Sequence, residues 1–312
     1  MSQNKGHALT GLNVVFVKEF HDFTQSVRMV VLTILILLTA GTSIYVATQT
    51  VKSCVGEDNF LLLSLFTLSK SPVPSFLTLM SFLVPLTGIA LGFDAVNSEF
   101  QNRTLPRVLS QPIYKDVLLF GKALGSLASM ALVLLSLWLF VIGFAMLFLG
   151  VPPTGEQISR AMVYYLITLL YGVLWFVIAL FFSIICTQSS TSALVSIACW
   201  LFFMIFWPTI CQLLSYAIGG TNSIVVAKTN SALARISPYV LYSEASIAIL
   251  NPTTRSLGVV LFYQMDGALG GSPLPFGQSF LLIWPQLTSF FAAIILIFTF
   301  GYMKFQRMEI RV

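Results

Sequence analysis

Six long apolar runs, at residues 29–48, 76–96, 117–150, 162–187, 191–218 and 281–303, make up nearly half of this 312-residue chain. A helix needs about 20 consecutive apolar residues to cross a hydrocarbon layer ~30 Å thick. Helices of soluble proteins are shorter, about 11–12 residues on average, and keep a polar stripe toward water. With 57% hydrophobic and only 9% charged residues, the chain has too little polar material to clothe a soluble core. The pattern predicts an all-α integral membrane protein with six transmembrane helices. Spans and connections consume nearly all of residues 1–312, so one membrane domain is expected. No soluble catalytic domain of about 100 residues fits beside it.

The net charge is +5, and its distribution orients the spans. With a cytosolic N-terminus, ten of the sixteen Lys and Arg fall inside and six outside. Three of those six lie in the long segment 219–280, which counts least in the positive-inside rule. A multi-pass protein of the cell membrane with both termini cytosolic is the expectation. Nucleic-acid binding would need a clustered basic face with stacking aromatics. None is present, and the basic residues are better matched to topology and anionic lipid headgroups. The four cysteines (Cys54, Cys186, Cys199, Cys211) show no metal-ligand spacing and read as small packing residues. The first run lacks a small-x-small cleavage site and reads as a retained span.

Residues 9–27 place Leu12, Phe16, Phe20, Phe23 and Val27 on one helical face, with Lys18, His21, Asp22 and Gln25 opposite. A helix so divided, ending just before a span, is expected to lie flat at the cytosolic interface. Residues 49–75, with Glu57, Asp58 and Ser-Pro-Val-Pro, read as a short ordered loop. Lys122, near the start of the third run, suggests that the first turns there project into the cytosol. Trp207-Pro208 is expected to kink the fifth helix. In 219–280 one short helix is legible, with Ser237 as cap, Pro238 in the first turn and Asn251-Pro252 as the stop. At about 12 residues, or ~18 Å, it is too short to cross and is expected to be a re-entrant or interface-lying helix at the outer leaflet.

The stretch 99–122 reads EFQNRTLPRVLSQPIYKDVLLFGK. Thr104 suits an N-cap, Pro106 is tolerated in a first turn, and Gln111-Pro112 closes the element after about two turns. Leu105, Val108 and Leu109 form an apolar patch at i, i+3, i+4, with Arg103 and Arg107 on a different face. So short a helix is marginal alone in water and needs a surface to dock on.

This stretch resembles the cytosolic coupling segment of type-2 ABC exporter permeases, the superfamily of drug, bacteriocin and polysaccharide exporters. The resemblance rests on Glu99, Thr104-Leu105, Val108-Leu109, Pro112 and Gly121-Lys122, with Arg103 where such chains usually carry Gly. Lys18-Glu19 on an amphipathic N-terminal helix and the basic tail Phe305–Arg311 are similar too. The likeness implies that two permease chains, here as a homodimer, work with two ATPase chains. It also implies that Glu99, Arg103, Thr104, Leu105, Arg107, Val108, Leu109, Gln111, Pro112, Gly121 and Lys122 make the ATPase-coupling site. A docked helix joined to two spans would turn closure of the ATPase into tilting. ATP and Mg2+ would belong to that partner, because Gly121-Lys122-Ala123 lacks the first glycine and the hydroxyl of a phosphate-cradling loop. This chain is then no enzyme and needs no cofactor or metal of its own.

Three rivals differ in mechanism. An ion-coupled secondary carrier usually holds ionisable groups at mid-membrane, yet the only acid within a span is Asp94, near its end. An intramembrane enzyme needs paired catalytic groups, yet both histidines, His7 and His21, are N-terminal. The third keeps the fold but passes mechanical work to an extracytoplasmic partner through segment 219–280. The substrate is not legible. The 27 Phe, 10 Tyr and 5 Trp suit an amphiphilic cargo, but Phe is also a default lipid-facing residue. Thr39, Thr42, Ser43, Ser126 and Ser129 read as sites of close helix packing.

Overall fold

Each of the six runs is a helix of membrane-crossing length in the computed structural model, which describes residues 3–53, 60–101, 115–150, 152–257 and 273–307. In chain order the helices are α1 (Gln3–Thr24), α2 (Val27–Ser53), α3 (Leu61–Thr67), α4 (Phe76–Gly92), α5 (Asn97–Gln101), α6 (Lys115–Leu149) and α7 (Gly155–Ile185). There follow α8 (Ser189–Leu201), a π-helical turn at Phe202–Phe206, α9 (Trp207–Gly219), α10 (Ser223–Ala234), α11 (Pro238–Leu250) and α12 (Phe276–Gln306). The spans are α2, α4 with α5, α6, α7, α8 with α9, and α12. An even number of crossings puts the start of α2 and the end of α12 on one side, here termed the terminal end.

The bundle centres on α4 and α7, the most buried spans. Their approach is set by glycine. A Cβ on Gly88 would meet Gly172 O at 2.5 Å, and one on Gly92 would meet Phe176 O at 2.6 Å. Lipid supplies no hydrophobic drive between helices, so small residues that let backbones touch supply the packing. Gly92→Leu should force α4 off α7 and cost about 1–3 kcal/mol, read as a lower midpoint of thermal unfolding in detergent. Of the hydroxyls singled out in the sequence, Ser43, Ser126 and Ser129 are buried, while Thr39 and Thr42 bond only to carbonyls of their own helix and Thr42 is exposed. Ser43 donates to Pro74 O at 3.0 Å, while Ser126 and Ser129 are buried and bond to carbonyls one turn back.

Three expectations are corrected. The connection after the first span is not merely a loop, because it contains α3. Between α9 and α12 the described residues hold two helices rather than one short helix: α10 descends from a turn at Gly219–Gly220 and α11 returns. Asn222 caps α10 by accepting from Ile224 N and Val225 N, a start signal that the apolar context concealed. Ser237 does not cap α11; its Oγ donates instead to Phe203 O at 3.0 Å. Pro208 stands in the first turn of α9, directly after the π turn.

The α10–α11 hairpin dips into the bundle. Trp207 Nε1 holds Leu233 O at 3.1 Å, and Tyr242 stacks on Tyr171 with centroids 4.4 Å apart. Tyr242 also exchanges hydrogen bonds with Tyr164 at 3.0 Å and Thr168 at 3.3 Å. These contacts make α11 re-entrant, with Tyr242, Ala245, Ala248 and Ile249 buried. Its far end is gathered by Arg160, which has no exposed surface. Arg160 Nη1 donates to Ile249 O at 3.1 Å and Ser279 Oγ at 3.0 Å, and Nη2 to Leu274 O at 2.6 Å. Nε and Nη2 both reach Glu156 Oε1, at 3.0 and 2.9 Å. One guanidinium thus ties together α7, α11 and the start of α12.

Candidate functional site

At the terminal end the chain buries a charge cluster. Lys122 Nζ lies 2.9 Å from Glu19 Oε1 and 2.8 Å from Glu99 Oε1. The three side chains come from α6, α1 and α5, and retain 6%, 7% and 13% of their exposure. Lys122 therefore does not project into water, because α1 and α5 cover it. It can lie buried because two carboxylates surround it.

The approach of α1 to α6 depends on two glycines. A Cβ at Gly121 would fall 2.6 Å from Val15 Cγ1, and one at Gly125 would fall 2.8 Å from Glu19 Cβ. α1 thus packs on its own chain through a face centred on Val15 and Glu19, flanked by half-buried Leu12, Phe16, Phe20 and Phe23. Val27 is not part of that face; it opens α2 and is 77% exposed. Glu19 falls among those apolar residues by helical spacing. An acid on an apolar face was the available signal, and the sequence reading used Glu19 only as part of a resemblance.

α5 is held just as firmly. Ser183 Oγ of α7 accepts from Val96 N at 3.0 Å and Asn97 N at 3.2 Å. Ser189 Oγ donates to Asn97 Oδ1 at 2.9 Å, and Gln101 Nε2 donates to Thr187 O at 3.1 Å. Burial acts to raise the Glu19 carboxyl, but Lys122 beside it, and then Lys18, outweigh burial and hold it below the ordinary carboxylate value. Two carboxylates thus share one buried ammonium, and Lys18 adds a second cation 3.2 Å from Glu19.

Other links surround it. Arg28 Nη1 of α2 meets Asp94 Oδ2 at 2.6 Å, with its guanidinium 5.3 Å from the Phe93 ring centroid. Asp94, near the end of its span as the sequence indicated, thus ties two spans together. Asp116 of α6 accepts from Tyr302 and Gln306 of α12.

Of the expected coupling residues, Glu99, Gly121 and Lys122 are brought together here. Arg103, Thr104, Leu105, Arg107, Val108, Leu109, Gln111 and Pro112 lie outside the described residues. So does Cys54, and the cysteines among the described residues are unpaired. The segment 102–114 leaves from α5 and enters α6, so its two flanks are bridged by Lys122–Glu99 and roofed by α1. Glu19–Lys122 and Lys122–Glu99 thus join α1, α5 and α6 by charge at the two flanks of that segment.

A model of the ABC-2 family transporter protein matches residues 13–310. The chain belongs to the ABC-2 transporter family. It is also similar to the probable ABC transporter permease protein NosY of Pseudomonas aeruginosa, 27% identical over 216 residues, covering 67% of this chain and 70% of that protein. This ABC-2 protein is accordingly a multi-pass membrane subunit of an ABC transporter, a permease and not the ATPase. Membership implies an ABC ATPase as partner. Within the ABC-2 chain, the Glu19–Lys122–Glu99 cluster lies where the spans meet the segment that resembles the family's coupling element.

Proposed function

We propose that this permease is the membrane-spanning half of an ATP-driven exporter. Residues 104–111 sit in a groove of a separate ATPase, which binds ATP and Mg2+. A second copy of the permease completes the pathway, and the cargo is hydrophobic or amphiphilic. The terminal end is cytosolic in this reading. The observation that carries it is the buried Lys122, which clamps α1, α5 and α6 at both flanks of the segment that must take the stroke. ATP-driven closure of the ATPase pushes on 104–111, and the clamp passes that push to three helices and thence to the spans.

The test uses the permease co-purified with its ATPase in vesicles. Leu105→Asp together with Leu109→Asp should abolish assembly, or leave ATP hydrolysis running without transport. Undiminished coupled transport in that variant would count decisively against docking at this segment. If hydrolysis answers to an extracytoplasmic protein and no cargo moves, mechanical transmission replaces export.

A further inference from the structure

The re-entrant hairpin carries an ion pair at a depth where charge is costly. Arg235, at the turn between α10 and α11, directs Nε to the two carboxylate oxygens of Glu244, at 3.2 and 3.0 Å. Gln286 Nε2 of α12 donates to the same Glu244 at 3.1 Å. Two rulers give the depth at 1.5 Å per helical residue. Leu233 O is held by Trp207, about 18 Å below the Gly219 end of α9. Gln286 is about 15 Å below Phe276, where α12 begins. That is too deep for a guanidinium to snorkel freely to the headgroups.

The pair leaves part of the guanidinium unused. An arginine that only neutralises a carboxylate tends to meet it fork to fork through two N–H groups. Here Nε alone engages Glu244, and Nη1 and Nη2 make no hydrogen bond to any described residue. Four N–H donors thus have no hydrogen-bond partner among the described residues. The side chain keeps 38% of its exposure, against 18% for Glu244. Seven residues earlier, on the same face of α10, Lys228 is exposed about 10 Å nearer the mouth of the hairpin. Two cations therefore line one descending face.

We infer that the Nη edge of Arg235 binds the phosphate or carboxylate headgroup of an amphiphilic cargo, with Lys228 as the shallower station. Glu244, steadied by Gln286, is the resident counter-charge that keeps the empty site neutral. This rests on the export reading and narrows its cargo to anionic amphiphiles. A headgroup crossing the membrane must leave water, and a half-paired guanidinium at mid-bundle replaces part of what it loses.

The experiment uses the permease–ATPase complex in phosphatidylcholine nanodiscs, with three probes sharing one dodecyl chain: dodecyl phosphate, dodecyltrimethylammonium and dodecyl maltoside. Equilibrium binding is measured without ATP. Dodecyl phosphate should bind at least tenfold more tightly than the other two. The charge-neutral double variant Arg235→Gln/Glu244→Gln, which leaves no orphaned ion, should lose that preference, and Arg235→Lys should keep most of it. An unchanged preference in the double variant overturns the site. Competition by inorganic phosphate would reassign it to a free anion and overturn the amphiphile. Efficient cross-linking of two copies through Lys228→Cys, insensitive to probe, would show a second permease covering the face and equally overturn it. Binding that depends on Arg235 without ATP-driven movement would sink export and leave the site standing. ATP-driven movement indifferent to Arg235 would do the reverse.

Discussion

Lys122→Met should cut cargo-stimulated ATP hydrolysis by the assembled transporter at least tenfold, and lower the yield of assembled complex. Removing the ammonium leaves Glu19 and Glu99 facing each other with 7% and 13% of their exposure, and Lys18 as a second cation beside Glu19. Breaking a buried pair by deleting one partner costs about 3–5 kcal/mol, most of it the penalty of the stranded charge. The cheapest relief is for α1 to lift from α6, which unfastens the clamp. Lys122→Met/Glu19→Gln/Glu99→Gln separates electrostatics from mechanics. With no stranded charge it should assemble normally, and the tight packing at Gly121 and Gly125 should still hold α1 down. If the triple variant also couples normally, packing alone transmits the stroke. If Lys122→Met by itself matches the wild type in assembly and coupling, the cluster has no part in transmission.

Arg160→Ala should be the most destabilising single substitution at the far end of the bundle, on the order of 3–5 kcal/mol. The guanidinium satisfies Ile249 O, Leu274 O and Ser279 Oγ, and holds Glu156 through two N–H groups. Truncation leaves buried acceptors unpaired and opens a cavity where the side chain lay, and each effect is costly. The expected readout is early protease access to α11 together with a lower unfolding midpoint. Arg160→Lys should recover only part of the loss, because one ammonium cannot span acceptors on three elements. Protease resistance and a midpoint equal to wild type in Arg160→Ala would show that the hairpin is anchored elsewhere, at Tyr242 or Ser237.

Spans were legible because a bilayer makes hydropathy local. In lipid every backbone group must be satisfied within its own helix, so a run of apolar residues announces a crossing without help from its neighbours. The boundaries at Phe76 and Ser189 and the short helix Pro238–Leu250 follow the sequence reading closely. α3 and α10 escaped it because a seven-residue helix and a twelve-residue helix in apolar surroundings give no periodic contrast. Within the site, Glu99, Gly121 and Lys122 were marked by resemblance to the coupling segment and Glu19 by resemblance of the N-terminal helix, while the meeting of Glu19 with Lys122 had no signal beyond an acid on an apolar face. Arg160 gave no signal beyond Glu156 one turn earlier, a pairing common on exposed helices.

The amino-acid order by itself therefore settled the number of crossings and the all-helical class, since each depends on composition over one stretch of chain. Which charges are buried, and against what, was decided only by packing. Glu19 and Lys122 stand 103 positions apart, and Arg160 reaches a serine 119 positions away. Whether an ionised side chain meets water or a counter-ion depends on which helices glycine allows to touch, and that is a property of the assembled bundle.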